Sequence, residues 1–299
     1  NEITIAIPLL LRKIEGSDYH DLTSVYGYPG PLCEGVDNYY NNDHFRKALH
    51  TAFEKQKIIS VFSRLNPFIP FQSEVLKNMG ETSSKGQIVN IDLTLTLDEQ
   101  RQCYNKRLKT YLNKSRNSCK IIKASTQKDV QKFIDIYYEN MDRVNASDQY
   151  YFDKDYFFNL LNCEEIGAEI LLVVFNETQE IVAGAMYMKH KNIVQYHLSG
   201  VKTDYLFLNC TKLLIDEMRI LSSKQNLEFF NLGGGLGNKK DSLFDFKSSF
   251  SKDFKAFKLW KYVVNAPIYN NLVANELQKK PTLAHHSKND YFPFYRCMY

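Results

Sequence analysis

Two hydrophobic periods alternate along the chain, and each switch between them marks an element boundary. Residues 3–11 are an apolar run that reads as a buried strand. From 43 to 57 the apolar positions Phe45, Ala48, Leu49, Ala52 and Phe53 follow helical spacing behind Asp43 as an N-cap, and residues 58–62 read as the next strand. Residues 87–95 alternate as a strand. Thr96-Leu-Asp-Glu99 then has the form of a capping box, opening a helix from 97 to about 115 with Tyr104, Leu108, Tyr111 and Leu112 on one face. Beyond it the pattern predicts a strand at 120–123, helices at 128–141 and 153–161, strands at 169–176, 180–189 and 192–198, a helix at 208–224 and a strand at 227–232. A long strand at 254–264, a helix at 267–278 and an aromatic tail from Tyr291 to Tyr299 close the chain. Residues 21–33, dense in Gly, Pro and Tyr, and residues 65–71, held extended by Pro67 and Pro70, are expected loops.

The helix and strand at 43–62 faintly repeat at 208–232, with a Lys-Gln pair at 55–56 and again at 224–225. This predicts an α/β chain of two related halves, residues 1–120 and 121–299, each a mostly antiparallel or mixed sheet flanked by helices. The sequence opens at Asn1 within an apolar run, as a strand entered midway, so the first half is expected to lack its start. A length of 299 residues with 44% hydrophobic positions allows a sizeable core, and 14% aromatic residues fit dense packing or an aromatic-lined groove.

The net charge of +4 is too small to imply nucleic-acid binding by itself, but charge is locally concentrated. Arg101, Lys106, Arg107, Lys109, Lys114, Arg116, Lys120 and Lys123 occupy one stretch without an acid. That stretch is either a solvated face or a surface for phosphates or a polyanion. The six cysteines are irregularly spaced without a Cys-x-x-Cys pair, which fits free thiols in a reducing compartment. No apolar run reaches the roughly 18 residues of a membrane helix. The expected location is therefore the cytoplasm, including the inner face of the membrane.

Candidate chemistry is densest after the strand at 227–232, where Gly233, Gly234 and Gly235 follow one another. Such a run is either a flexible turn or a place where backbone N–H groups face a ligand. Lys247 follows, set among Phe244, Phe246 and Phe250. Its ammonium either snorkels to water or meets an anion. His197 has the reference pKa of a general base, yet alternation puts Tyr196 and His197 on opposite faces, which favours a structural histidine. Gly200 follows the same strand, and Arg143 closes the helix at 128–141 as a phosphate ligand or a surface residue. Arg64 and Asn66, on the Pro-rich loop, are expected to line a groove between the halves. His285-His286 lacks a second ligand cluster, so no metal site is expected.

The second half has the element order of the GNAT acyltransferase fold. Several motifs also resemble the FemAB family, whose members carry two GNAT-like halves and attach amino acids to cell-wall precursors. They are Tyr26-Gly-Tyr-Pro-Gly-Pro-Leu32, Val89-Asn-Ile-Asp-Leu93, Tyr137-Tyr-Glu-Asn-Met-Asp-Arg143, Tyr196-His-Leu-Ser-Gly200, Leu232-Gly-Gly-Gly235 and Phe246-Lys247. The resemblance implies that Lys247 is the lysine of the catalytic Phe-Lys motif. It likewise implies that Tyr196 is the central-strand tyrosine, and that Arg143 is the arginine after the first helix of the second half. In a GNAT-like half the donor lies between two splayed strands, here those at 192–198 and 227–232, with N–H groups at Ser199, Gly200 and Gly233–Gly235 as oxyanion donors. Two departures stand out: the helical coiled-coil arm that some members insert is not seen, and between the strand at 192–198 and the helix at 208 only Gly200 stands where acetyl-CoA enzymes have an Arg/Gln-x-x-Gly-x-Gly pyrophosphate cradle. The expected function is N-acyl transfer to an amine of a phosphate-bearing or lipid-linked envelope precursor. No tightly bound cofactor is expected, and the activated acyl donor, aminoacyl-tRNA or acyl-CoA, is expected as a co-substrate. The alternatives are an acyl-CoA-dependent N-acetyltransferase acting on an amino sugar or small amine, and a non-catalytic polyanion-binding module. Without the cradle, weak or no CoA binding is expected.

Overall fold

A computed structural model describes residues 2–280 and 291–297. The chain forms two compact units, Asn1–Gly86 with Ala256–Tyr299, and Gln87–Lys255. The division therefore does not fall near residue 120. The first unit takes back a strand from late in the chain, and strand partnership of that kind is set by hydrogen bonds that periodicity does not reveal.

In the first unit, β1 (Thr4–Ala6) pairs with β4 (Leu32–Glu34) as a separate ribbon. The remaining strands stand in the order β2 (Leu10–Lys13), β3 (His20–Thr23), β5 (Ile58–Arg64), β12 (Asp253–Val263). Only β3 and β5 run parallel. The strand expected at 3–11 is broken into β1 and β2 around Pro8, which has no N–H for a ladder. The loop expected at 21–33 contains most of β3, which buries Asp21 against Arg12 at 2.7 Å and Arg296 at 2.5 Å. Helix α1 (Asp43–Lys55) sends Phe53 into a cluster with Leu22, Val61, Met79 and Trp260. The short α2 (Gln72–Val75) follows the Pro-rich loop, and α9 (Ala266–Lys279) packs Val273 with Ile59, Phe294 and Tyr295.

Strand β6 (Glu81–Asp92) carries the chain into the second unit, where the sheet order is β6, β11 (Phe229–Gly233), β10 (Ile193–Val201), β9 (Ile181–His190), β8 (Glu169–Phe175), β7 (Cys119–Lys123). Helices α3 (Leu97–Gln102), α4 (Lys106–Ser118) and α7 (Cys210–Lys224) belong here, with α5 (Gln127–Arg143), α6 (Lys154–Asn162) and α8 (Ser242–Ser248). Each unit is thus a mixed sheet flanked by helices, and β7 to β12 follow the expected order of strands. The Thr96 capping box is present, as is one at Thr126 with Asp129. The single helix expected at 97–115 is two, because Asn105 caps α4 by accepting the Leu108 N–H at 2.7 Å.

On one face of the second sheet, Leu108 and Leu112 of α4 and Leu213, Leu214 and Met218 of α7 pack with Val173, Ala183 and Val194. On the other face, Phe133, Ile134 and Tyr137 of α5 pack with Phe157, Ile170, Leu172 and Met186. Gly184 and Gly200 are register partners on β9 and β10, and they let α5 settle directly on the sheet. A Cβ at Gly200 would lie 2.6 Å from the Ile136 carbonyl oxygen and 2.9 Å from Tyr137 Cα. Both are backbone atoms that cannot rotate away. Gly200→Ala is expected to destabilise the chain by about 2 kcal/mol or more, read as a lower urea midpoint. An unchanged midpoint would mean that α5 is not held this close.

Candidate active site

Parallel β10 and β11 are paired for only three residues, Ile193 with Phe229, Val194 with Phe230 and Gln195 with Asn231. Beyond that point β10 continues against β9, and β11 against β6. Both strands are irregular at the parting: β10 between Tyr196 and Leu198, β11 between Asn231 and Gly233. Bulges add local twist, so the strands diverge. Alternate N–H and C=O groups of each then face the opening instead of each other.

The glycine run lies at the end of β11. Gly233 has φ +76°, and its N–H is taken by Asn231 Oδ1 at 2.8 Å, so it is not an available oxyanion donor. Among the described residues, the N–H groups of Gly234 and Gly235 have no protein acceptor. Asp241 fixes the turn. One carboxylate oxygen accepts the Leu236 N–H at 2.9 Å, and the other caps α8 through the Phe244 N–H at 2.9 Å. A Cβ at Gly235 would sit 2.1 Å from the Lys239 carbonyl oxygen, so only glycine fits there.

Lys247 is 8% exposed on α8, and its Nζ donates to the Gly234 carbonyl at 2.7 Å. It does not snorkel. Among the described residues it has no ion pair. Burial lowers its pKa from 10.5 to about 8, against a small opposing pull from Asp241.

Tyr196 is the first β10 residue past the parallel pairing. It packs on the α4–α7 side, and its hydroxyl bonds Ser199 Oγ. His197 lies on the other side, with Nε2 bonded to the Tyr156 hydroxyl of α6 at 2.7 Å. Burial drops its pKa to about 4, so it is neutral at pH 7, and its contacts are those of a structural histidine. Gly200 is buried under α5, where its missing Cβ serves packing. Arg143 is exposed at the end of α5, donating to Asn140 Oδ1 at 2.6 Å.

The basic stretch is partly neutralised by acids distant in sequence. Arg116 binds Asp216 at 2.8 Å and Glu217 at 3.1 Å, Arg101 reaches Asp216 at 4.0 Å, and Lys123 binds Glu169 at 2.6 Å. Arg107 remains exposed, donating Nε to the Tyr111 hydroxyl at 2.7 Å beside that ring. Lys212, absent from the sequence reading, lies over Tyr111 at 4.9 Å and Phe246 at 5.5 Å. Arg64 and Asn66 belong to the first unit, and Asn66 Oδ1 accepts the Phe68 N–H at 2.9 Å. Missed as well were Asn231, Asp241 and the bond of the Ser199 hydroxyl, whose residue was expected only as an N–H donor, to Tyr196. Of these only Asp241 carries a sequence signal, an N-cap aspartate three residues before Phe244. Among the described residues no group of three or more His, Cys, Asp or Glu could hold a metal ion, and His285 and His286 lie outside them. Nor is any described helix long and apolar enough to cross a membrane.

Solved structures share this architecture. FemX matches with a TM-score of 0.65 at 14% identity, covering 88% of this chain and 85% of its own. L-PGS from Bacillus licheniformis matches at 0.57 and 15% identity, over 89% and 84%. A C-terminal domain from Agrobacterium fabrum, assigned to a lysylphosphatidylglycerol synthetase, matches at 0.56 and 14%, over 94% and 88%. The chain has their fold. No protein-family model matches it, and no curated protein matches its sequence.

The depressed pKa of Lys247 makes a signed prediction. Below pH 8 native and unfolded chains both hold the proton, and the burial penalty is present in full, about 3 kcal/mol for a fall from 10.5 to about 8. Between those values only the unfolded chain keeps the proton, so stability rises with pH and the penalty disappears. Lys247→Met, which removes the charge and one hydrogen bond worth about 1 kcal/mol, is expected to be more stable than wild type at pH 7. Urea denaturation at pH 7 and pH 10 should show that advantage shrinking. A variant less stable than wild type at pH 7 would contradict the assignment.

Proposed function

We propose that the chain is an N-acyltransferase that moves an aminoacyl group onto an amine of a phosphate-bearing or lipid-linked envelope precursor. The observation that carries this reading is the buried, unpaired Lys247 ammonium at the foot of the Gly234–Gly235 turn, beside strands that part. A buried cation without an anion is costly and is useful where negative charge develops during reaction. The shared fold with FemX and with the lysylphosphatidylglycerol synthetase domain supports acyl transfer and an envelope acceptor, the latter by the lipid in its name.

In the proposed reaction the acceptor amine attacks the acyl carbonyl, forming the C–N bond and a tetrahedral oxyanion. The free N–H groups of Gly234 and Gly235, with the Lys247 ammonium, stabilise that oxyanion. Collapse breaks the bond to the leaving oxygen or sulfur. With a pKa near 8, Lys247 gives its proton to the leaving atom and regains one from the attacking nitrogen. Tyr196 holds the wall of the opening, and Arg143 and Arg107 are candidate contacts for substrate phosphates. Aminoacyl-tRNA is the favoured donor. Between β10 and α7 the chain has no glycine of a pyrophosphate cradle, since Gly200 is committed to α5. Acyl-CoA is the second arm of the test.

Lys247→Met should lower turnover about a hundredfold or more, the equivalent of roughly 3 kcal/mol, with the fold intact. Transfer assays with aminoacyl-tRNA and with acyl-CoA, at equal protein concentration, check both lysine and donor. A fully active variant would refute the role given to Lys247. Turnover with acyl-CoA alone would move the chain to an N-acetyltransferase.

A further inference from the structure

On the first unit a guanidinium lies beside two rings, with no acid among the described residues to answer it. Arg64 ends β5 half-buried, its guanidinium carbon 5.2 Å from the Phe62 ring centroid and 6.0 Å from that of Tyr26. Of its five N–H donors, the described residues engage one, from Nη1 to Ser24 Oγ at 3.5 Å, and no carboxylate forms an ion pair with it. Burial lowers its pKa, and the nearby phenols of Tyr26, Tyr28 and Tyr291 partly offset that.

The surroundings are built, not incidental. The Gly30 N–H donates to the Arg64 carbonyl at 2.9 Å, tying the Tyr26–Tyr28 loop to the end of β5. Buried Gln72 buckles the two Pro-rich loops together, donating to the Pro31 carbonyl at 2.8 Å and accepting the Asn66 N–H at 2.9 Å. Tyr28 packs edge-on against Phe257 at 5.4 Å. The C-terminal segment runs along the same face of β5, with Tyr295 on Ser60 at 2.8 Å and Phe292 on Phe62 at 6.4 Å. The loops around Arg64 are therefore tied to the end of β5, while the described residues leave most of its donors unused. A half-buried charge of this kind is stabilised only by a partner. A planar fork with free edges matches two oxygens of one anion.

We propose that Arg64, beside Phe62 and Tyr26, binds a two-oxygen anion, a phosphate or a carboxylate. That this anion belongs to the acceptor rests on the transferase reading above, whereas the site itself does not.

The test is calorimetric titration of the full chain with inorganic pyrophosphate in one arm and N-acetyl-alanyl-alanine in the other. One-to-one binding is expected in at least one arm, and the arm that binds tells phosphate from carboxylate. Arg64→Lys, which keeps the charge but loses the paired hydrogen bonds, should weaken binding about tenfold at an unchanged melting temperature. In wild type, the bound probe should protect Arg64 from phenylglyoxal, a readout that needs no folded variant. No binding in either arm, wild-type affinity in Arg64→Lys, or no protection of Arg64 would overturn the proposal. A chain that binds the probe at Arg64 yet transfers no acyl group from any donor would overturn the transferase reading and leave this site standing.

Discussion

The parallel pairing of β10 and β11 stops after Gln195 and Asn231, and the chemistry proposed for the second unit depends on that interruption. A buried parallel pair would normally continue its ladder, because unpaired backbone groups away from water are costly. Here the loss is answered locally. Asn231 turns its side chain onto the Gly233 N–H, and β9 and β6 keep the outer edges of the two strands paired. Asp241 pins the glycine turn that follows and starts the helix carrying Lys247. An opening edged by backbone donors and a buried ammonium results from this one break.

Two kinds of buried charge can be told apart in this molecule. Asp216 is 1% exposed and lies amid Arg116, Arg219, the Tyr104 hydroxyl and, more distantly, Arg101. Burial pushes its pKa up, but the Arg116 hydrogen bond and the Arg219 charge prevail and hold it below the usual carboxylate range. Every charge in that cluster has an answer within the fold, so its role is to hold α4 and α7 together. Lys247 and Arg64 differ. Each is held by neutral neighbours, one by a carbonyl and one by rings, and neither forms an ion pair among the described residues. Charges kept where they reduce stability mark places where a partner is expected to arrive.

Much of this was legible in the sequence. The helical stripes of α1, α5 and α7 and the alternation of β8 to β11 gave the element order, and the Phe-Lys and triple-glycine motifs led to the turn that Lys247 meets. What escaped was decided by contacts distant in sequence. The basic stretch looked unopposed because Asp216, Glu217 and Glu169 lie far along the chain from it. The packing role of Gly200 was invisible, because nothing local shows that α5 needs its missing Cβ. The unit boundary was misplaced because β12 returns to pair with β5. Helix α8 was overlooked because seven residues give too little periodicity, although Asp241 marked its start.

The most direct test of the account is a crystal structure of the full chain with a non-hydrolysable 3′-aminoacyl-adenosine analogue. The acyl carbonyl is predicted to lie between the parted ends of β10 and β11, within hydrogen-bonding reach of the Gly234 or Gly235 N–H and of the Lys247 ammonium. An analogue bound elsewhere, with Lys247 still joined only to the Gly234 carbonyl and the strand opening empty, would contradict it.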